Sequence, residues 1–378
     1  MYPKIVVEGA ARERGRQYGA AAADRVQRSI AAYGEVFAHY AGWDWARVRT
    51  EAEAFRAPIA AYGQKYLDEI VGIAEGAGVD DVDVLAINVR TEVMFAATAR
   101  DAGHGPRLPP ECSSFAVTPQ RAGGRLVAGQ NWDWLVHAFD TCVVLEAHQD
   151  DGPDYVTVVE AGLLAKAGMN SSGVALCTNA LVTDADQGRP GVPYHVLLRA
   201  ILDAETLADG LTALQRAERS SSANYLLAHE DGVAVDVEAA PGDFSRLFIA
   251  SPTDGVLLHT NHFDHPRFDG SDVSLWAMPD SPFRMARLRD LVGAHDGPLD
   301  VAFWQALLAD HATYPLGVCC HPDARVPEAE RAATVAALVM DPAQRRMWVA
   351  SGNPCTAPWE ELDCSALAAK PSPLRQPA

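Results

Sequence analysis

Cys112 begins the segment whose residue types are best suited to chemistry. The residues after it alternate as in a β-strand, a Gly-Gly pair at 123–124 predicts a turn, and an apolar run then returns toward Asn131 and Asp133. This pattern predicts that Cys112 and the Asn131/Asp133 pair meet at the same end of one sheet. A thiol beside an amide and a carboxylate is suited to nucleophilic catalysis.

The other cysteines lack such polar neighbours. The chain has an odd number of cysteines and no secretory signal, so free thiols are expected rather than a disulfide framework. Cys142 and Cys177 stand in apolar, strand-like runs, which is typical of small buried side chains. The full set is Cys112, Cys142, Cys177, Cys319, Cys320, Cys355 and Cys364.

The part of the chain before Cys112 has apolar residues at helical spacing. This spacing predicts helices over 14–40, 43–55, 58–76 and 79–95. The run from Arg100 to Pro110 is rich in Gly and Pro and has no periodicity. It therefore predicts an exposed, extended connector that leads to Glu111 and Cys112.

After Cys112 the pattern changes to short strands bounded by turns, with helices between them. Beyond the first hairpin, strands are predicted over 154–159, 163–168, 174–178, 224–229, 233–238, 245–249 and 256–259, and a late hairpin over 334–340 and 345–350. Helices are predicted over 193–202, 207–219, 282–292 and 301–308. Sequential strands joined by tight turns favour antiparallel sheets covered by helices, an α+β fold.

Composition limits the partners. The chain of 378 residues is 48% hydrophobic and carries a formal net charge of −19. Nucleic acid and anionic membrane surfaces both require a positive footprint, so neither is expected as a partner. The N-terminus has no basic region followed by an apolar one, and no apolar run is long enough to span a bilayer. The expected location is the cytoplasm.

Several motifs together resemble one family. In chain order they are Cys112-Ser113-Ser114, Gly129-Gln130-Asn131-Trp132-Asp133, Glu160-Ala161-Gly162, Gly168 to Val174, Gly191-Val192-Pro193 and His259-Thr260-Asn261-His262. They resemble the acyl-CoA:6-aminopenicillanic acid acyltransferase family (isopenicillin-N acyltransferase-like) of N-terminal-nucleophile (Ntn) cysteine hydrolases. The resemblance runs from about residue 8 to residue 348. It implies a four-layer αββα sandwich of antiparallel sheets.

The resemblance also implies autoproteolysis at Glu111-Cys112. Cleavage would leave Cys112 with a free α-amine, whose ordinary pKa of about 7.7–8.0 lets it act as base for its own thiol. The expected division is a helical pro-segment or α-chain over 1–111, a catalytic β-chain over 112–364 and a loose tail over 365–378. Glu111 differs from the glycine that precedes the nucleophile in the penicillin-linked member.

Other site residues are carried over from the family motifs. The carboxylate of Asp133 is expected to bond and orient the α-amine of Cys112. The amides of Asn179 and Asn261 match positions that supply oxyanion contacts. Arg284 matches an arginine of the bile-salt hydrolase branch and is a candidate for substrate binding. That branch has arginine where this chain has Gln130.

Two clusters could suggest a metal, but neither is expected to bind one. His259, His262 and His265 recur near Asp264, yet the metalloprotease spacing is missing and Pro266 would break a helix. Cys319-Cys320-His321 contains adjacent cysteines, which seldom ligate one ion. No phosphate loop or dinucleotide fingerprint follows any strand, so no cofactor is expected.

Two classes of function remain open. The first is an amidohydrolase or acyltransferase that cleaves a linear, non-peptide amide of a small molecule through a Cys112 thioester; an acyl-CoA-dependent N-acyltransferase is its alternative form. Its protein partner would be its own N-terminal fragment. The second is a binding protein that keeps the fold with an inert site, in which Cys112, Asp133, Asn179 and Asn261 would not converge.

Overall fold

The computed structural model describes residues 1–101 and 112–367. The predicted connector from residue 102 onward, Glu111 of the predicted cleavage site and residues 368–378 of the predicted tail lie outside these ranges. Among the helices of the described ranges, none is both long and apolar enough to cross a bilayer.

Two sheets form the centre of the molecule. The first has eight strands in the order β1-β4-β5-β6-β7-β8-β9-β10, and the second has six in the order β11-β2-β3-β12-β13-β14. Only the β1–β4 pair is parallel among the described strand pairs. The strands are β1 Lys4–Gly9, β2 Ser113–Val117, β3 Val127–Leu135, β4 Cys142–Gln149, β5 Tyr155–Glu160, β6 Ala167–Asn170, β7 Val174–Ala180, β8 Ala223–His229, β9 Ala234–Ala239, β10 Leu247–Ala250, β11 Val256–His259, β12 Ala332–Asp341, β13 Arg346–Ala350 and β14 Trp359–Asp363.

The described residues contain twelve helices, six before Cys112 and six after it, and three short 3₁₀ turns. The helices are α1 Ala11–Ala21, α2 Ala23–Ala41, α3 Trp45–Glu53, α4 Arg56–Ala77, α5 Asp81–Asn88, α6 Arg90–Asp101, α7 Pro119–Ala122, α8 Tyr194–Leu202, α9 Leu207–Gln215, α10 Ser274–Ala277, α11 Ser281–Gly293 and α12 Val301–Leu307.

Three hydrophobic cores separate four layers. The largest lies between the eight-stranded sheet and the helices that include α1 to α6, α8 and α9. The second lies between the two sheets, and the third between the six-stranded sheet and α11 and α12. Alternation along a strand assigns the faces: on β4, Val143 joins the helix core and Val144 the inter-sheet core. The predicted α+β, four-layer αββα fold is confirmed.

The N-terminal segment is built into this architecture. β1 extends the eight-stranded sheet by pairing with β4. α1 packs very closely on α4, and glycines make this close contact possible. A Cβ atom at Gly19 would lie 2.0 Å from the carbonyl oxygen of Ile73, and a Cβ atom at Gly76 would lie 2.0 Å from that of Arg16. Residues 1–101 therefore contact the rest of the molecule through both a strand and a helical layer.

Several element boundaries differ from the predictions. The predicted helix over 14–40 is two helices, broken at Ala22, and a second break at Val89 separates α5 from α6. Neither residue is a helix breaker, so the alanine-rich sequence hides both breaks. The predicted strand over 163–168 corresponds to β6, which starts only at Ala167. Leu163 and Leu164 lie in the loop before it, and their side chains pack in the core between the eight-stranded sheet and the helices. The short helix α7 lies within the first hairpin's connection, and the edge strands β1 and β14 were not predicted.

Candidate active site

Cys112 stands directly before β2, fully buried, in a conformation that is rare for its residue type. Its φ of +42° lies in the left-handed region, where a side chain is strained. Ser113 pairs with Asn131 across the β2–β3 hairpin, so Cys112 reaches the sheet end at the level of Trp132, one residue before Asp133. The predicted meeting of the Cys112 end of β2 with the Asp133 end of β3 is confirmed.

Two side chains hold the backbone of Cys112 in this conformation. Its carbonyl oxygen accepts hydrogen bonds from Nδ2 of Asn179 and Nη1 of Arg284, each at 2.9 Å. Asn179 lies on β7 of the opposite sheet and Arg284 lies in the first turn of α11. Three separate elements thus meet at this residue. Strain of this kind persists only where the surroundings determine it, and it concentrates at functional sites.

Arg284 is buried and almost fully occupied by protein groups. Nε donates to Asp280 at 2.7 Å, Nη1 donates to the Cys112 carbonyl and to Ser113 Oγ, and Nη2 donates to Asn261 Oδ1 at 2.8 Å. These bonds use four of the five N–H groups of a guanidinium. The arginine carried over as a candidate for substrate binding therefore holds the Cys112 carbonyl and Asn261 in place.

Asp133 is fully buried and half satisfied. Its Oδ1 accepts a hydrogen bond of 2.5 Å from Thr334 Oγ1 on β12, and its Oδ2 has no partner among the described residues. Burial raises the pKa of Asp133 to about 7, although the charge of Arg284 and the Thr334 hydrogen bond act to lower it. A buried carboxylate oxygen without a donor costs free energy. A cation or a hydrogen-bond donor at Oδ2 would therefore stabilise Asp133.

Asn179 is committed to backbone groups of the site. Besides the Cys112 carbonyl, its Nδ2 donates to the His259 carbonyl at 3.4 Å, so both amide hydrogens have acceptors. Its Oδ1 accepts a 2.6 Å bond from Ser114 Oγ. In this state Asn179 is a positioning residue. Its contribution to an oxyanion site stays a prediction.

Asn261 follows β11 and keeps an amide hydrogen available. Nδ2 donates to the Ala180 carbonyl at 3.0 Å, and the backbone N–H donates to Ser281 Oγ at 2.7 Å. Arg284 holds Oδ1. Because no second acceptor for Nδ2 is found among the described residues, Asn261 is the better placed of the two amides to donate to an oxyanion.

Asn131 belongs to a different face of the sheet. Its Nδ2 donates to the carbonyls of Leu308 and Val318 at 2.8 and 2.7 Å. It therefore holds the loop after α12 in place instead of contacting Cys112. We call Cys112, Asp133, Asn179, Asn261 and Arg284, which the structure does bring together, the strand-end cluster.

The histidines of the His259 region do not form a metal site with one another. His259 Nε2 contacts Glu238 at 3.0 Å, His262 Nδ1 contacts Ser281 Oγ and His265 Nε2 contacts the Ile249 carbonyl. His259 does lie within reach of Asp236 and Glu238 as a possible ligand set. Although burial opposes it, these carboxylates raise the pKa of His259 to about 9, so an internal ion pair accounts for the group.

Four supporting residues were not predicted from the sequence. Thr334 and Ser114 bond Asp133 and Asn179, while Asp280 and Ser281 bond Arg284 and the Asn261 backbone. Each partner is distant in sequence, except in the Asp280–Arg284 pair. That i, i+4 pair at a helix start is a signal that could have been found.

A family model supports the resemblance. The model described as acyl-coenzyme A:6-aminopenicillanic acid acyl-transferase matches residues 120–356, more than half of the chain. This chain belongs to that family. The matched range includes Asp133, Asn179, Asn261 and Arg284 and begins after Cys112. The predicted family and the enzyme class it implies, acyltransferase or amide hydrolase, are confirmed.

Individual proteins are also similar to this chain. The chain is 28% identical over 296 residues to the acyl-coenzyme A:6-aminopenicillanic-acid-acyltransferase 40 kDa form of Emericella nidulans, covering 77% of this chain and 76% of that one. Among solved structures, a Caenorhabditis elegans N-acylethanolamine-hydrolyzing acid amidase ortholog is similar with a TM-score of 0.46 at 14% identity, covering 61% of this chain and 93% of that one. Penicillin V acylase from Agrobacterium tumefaciens follows with a TM-score of 0.44 at 15% identity, covering 68% and 88%.

Proposed function

We propose that the protein is an Ntn cysteine enzyme that cleaves a linear, non-peptide amide through an acyl thioester on Cys112. The observation that carries the proposal is the strained Cys112, clamped through its carbonyl by Asn179 and Arg284, beside a buried carboxylate with an unpaired oxygen. A buried structural cysteine in a strand would need neither the strain nor the clamp.

The unpaired oxygen of Asp133 suits an N-terminal amine. After autoproteolysis at Glu111-Cys112, the new α-ammonium group would donate to Oδ2 and remove the cost of leaving that oxygen without a donor. The same charge would lower the pKa of Asp133 from its raised value. The neutral amine would then accept the proton of the Cys112 thiol, so one residue supplies nucleophile and base.

The proposed reaction has two steps, acylation of Cys112 and deacylation. The Cys112 sulfur attacks the amide carbon, negative charge forms on the carbonyl oxygen, and Nδ2 of Asn261 donates to it. The C–N bond breaks as the leaving amine takes the proton held by the α-amine, which leaves a thioester. Water or a second amine then attacks the thioester carbon, the C–S bond breaks, and the α-amine transfers a proton from the attacking group to the Cys112 sulfur. Water as acceptor gives hydrolysis, and an amine gives acyl transfer.

The N-terminal fragment is the proposed partner of the catalytic chain after cleavage. β1 pairs with β4 along six residues, and the helices of residues 11–101 contribute to the largest core. These contacts combine a strand pairing with a shared hydrophobic core, so the two chains should stay together without a covalent link. Cytoplasm remains the proposed location, and the substrate a small-molecule amide.

Intact mass measurement of the denatured protein tests the cleavage step. Wild type should give two species divided between Glu111 and Cys112, and Cys112→Ala should give one full-length chain. On native gel filtration the wild-type fragments should co-elute. A wild type that remains one chain while it hydrolyses amides would contradict autoproteolysis.

Amide turnover tests the chemistry. Linear N-acyl amides, with a penicillin first among them, are the substrates to test, and release of the amine is the measurement. Acyl-CoA with 6-aminopenicillanic acid tests acyl transfer. Cys112→Ala should reduce any activity found by about 10⁴-fold or more, and Cys142→Ala, which changes a buried thiol between the sheets, is the matched control.

A further inference from the structure

Four metal-ligating side chains converge outside the strand-end cluster. They are His311, Cys319, His321 and Cys355, and their ligand atoms all lie within 4.8 Å of one another. Three come from the loop between α12 and β12, and Cys355 comes from the loop between β13 and β14. We call them the Cys2His2 cluster. Cys319 is fully buried, Cys355 and His321 are partly buried, and His311 is exposed.

Four of the six separations are close to the edges of a tetrahedron, and the two between His311 and the sulfurs are no longer than 4.8 Å. With zinc bonds of about 2.3 Å to sulfur and about 2.05 Å to nitrogen, a regular site has edges of about 3.8 Å between sulfurs, about 3.6 Å between sulfur and nitrogen and about 3.3 Å between nitrogens. The two sulfurs lie 3.6 Å apart. His321 Nε2 lies 3.5 and 3.4 Å from the sulfurs of Cys319 and Cys355, and 3.1 Å from His311 Nε2.

Hydrogen bonds alone do not account for this arrangement. Three ligand atoms surround the single nitrogen Nε2 of His321. A neutral imidazole nitrogen offers one hydrogen or one lone pair, so it satisfies one neighbour at a time. A cation at the centre would accept a lone pair from all four atoms at once.

The loop is built to hold these ligands. The backbone N–H of Cys319 donates to the Asp310 carbonyl at 2.9 Å, and that of His321 donates to the Pro315 carbonyl at 2.8 Å. Asn353 reaches across from the second loop and donates to Cys319 Sγ at 3.7 Å. An outer donor to sulfur is typical of metal thiolates, since it stabilises the negative charge on the ligand.

We propose that the Cys2His2 cluster binds one structural zinc ion. Binding would release the protons of the two thiols, and the neutral imidazoles would donate through Nε2. Four protein ligands leave no open position, which is characteristic of structural sites and not of catalytic ones. Softness of the two sulfurs favours zinc over calcium or magnesium.

The sequence predicted no metal at Cys319-Cys320-His321, because adjacent cysteines seldom ligate one ion, but the proposed site uses only one of these two cysteines. Cys320 does not belong to the ligand set, because its sulfur is directed to the Ala332 carbonyl at 3.7 Å. The second sulfur is Cys355, which stands 36 residues after Cys319. That separation conceals the site in the sequence.

The ion would also fix one support of Asp133. The N–H of Cys320, between two of the ligands, donates to Thr334 Oγ1 at 2.9 Å, and that hydroxyl donates to Asp133 Oδ1 at 2.5 Å. The Cys2His2 cluster and the strand-end cluster are therefore joined by two hydrogen bonds through one threonine.

Metal analysis of the full chain tests the site. Protein made in zinc-supplemented medium and purified without chelator should hold about one zinc per chain, and Cys355→Ser and His321→Ala should hold less than about a fifth of that. Cys320→Ser is the matched control: it changes the neighbouring thiol outside the ligand set and should keep the zinc. Equal zinc in wild type and Cys355→Ser would overturn the proposal.

A second measurement on wild type does not depend on the folding of variants. Removal of zinc by a strong chelator should lower Tm, and added Zn²⁺ should restore it, because the ion binds only the folded loop pair. Alkylation of the denatured, unreduced protein should label all seven cysteines. A folded wild type without zinc, a Tm indifferent to chelator, or a Cys319–Cys355 disulfide would each refute the site.

Discussion

The strand-end cluster and the Cys2His2 cluster are two polar groupings on either side of Thr334, and they are built in different ways. The first is fully buried and gathers side chains from the ends of β2, β3, β7 and β11 and from α11. The second is partly exposed and gathers its members from two loops. Hydrogen bonds from Asn179 and Arg284 hold Cys112 at the sheet ends, whereas the two loops bring four ligand atoms around one point, where the proposed zinc ion would bind.

The two clusters also differ in how their polar atoms are satisfied. In the strand-end cluster the oxygen Oδ2 of Asp133 has no donor among the described residues. In the Cys2His2 cluster one nitrogen has too many neighbours for hydrogen bonding. The two proposals answer these two patterns: the α-ammonium group of a cleaved Cys112 would donate to Asp133, and a zinc ion would bind the four ligand atoms.

The largest expected effect tests the ammonium group. A polypeptide that begins at Cys112, co-expressed with residues 1–111, should be active without processing. One additional residue before Cys112 should lower kcat by about 10⁴-fold or more, because it removes the base and the cation that Asp133 requires. Steady-state kinetics on both forms is the measurement. Equal activity in the two forms would show that another group is the base and that Asp133 does not act through the α-amine.

Asp133→Asn should have the next largest effect. It preserves the shape but loses the charge that orients the α-amine, so self-cleavage should slow and kcat/KM should fall by about 10²–10³-fold. Loss of a neighbouring negative charge lowers the pKa of an ammonium group. The acid limb of the pH–rate profile should therefore move to lower pH, and an unchanged profile would show that Asp133 does not contact the amine.

Asn261→Ala and Asn179→Ala should fail differently. Asn261→Ala removes a donor that matters once negative charge forms, so kcat and kcat/KM should fall together by about 10²–10³-fold in a processed, folded enzyme. Asn179→Ala leaves the Cys112 carbonyl with one donor fewer and should chiefly slow processing and lower Tm. Normal kcat in Asn261→Ala would remove it from the oxyanion site.

The buried carboxylate should also make stability depend on pH in the uncleaved protein. Asp133 has a folded pKa of about 7, above its unfolded value. Its favourable contribution is therefore complete below about pH 4 and lost as the pH rises through 7, by up to about 4 kcal/mol. In a Cys112→Ala background, Asp133→Asn should gain relative stability between pH 5 and pH 8. Urea unfolding at both pH values decides it, and a constant difference would contradict the raised pKa.

Thr334→Val should give the smallest effect and tests the link between the clusters. It removes the hydroxyl that donates to Asp133 and accepts from Cys320, so kcat/KM should fall by roughly tenfold and stability by about 1 kcal/mol. Thr157→Val, which removes a buried hydroxyl bonded to the Ala167 carbonyl, is the matched control. It should cost similar stability and leave kcat/KM unchanged. Equal activity losses in the two variants would show that the link has no specific role.

Much of the fold follows from local pattern. Alternation after Cys112, the Gly-Gly turn and the helical spacing before residue 101 each depend on neighbours within a few residues, and most predicted strands and helices are present with small shifts in their ends. The helix breaks at Ala22 and Val89 were hidden because alanine and valine carry no stop signal. β1 was missed because it is an edge strand whose partner, β4, lies more than one hundred residues away.

The sequence by itself determined the α+β class, the family and the residue types that end the central strands. Tertiary structure alone decided what those residues do. It directs Asn131 to the loop after α12 and places Asn179 and Arg284 at the Cys112 carbonyl. It also brings the sulfur of Cys355 to 3.6 Å from that of Cys319. The reason is physical: propensity and periodicity act over a few residues, whereas a hydrogen bond or a metal ligand requires that distant segments first be brought together by packing.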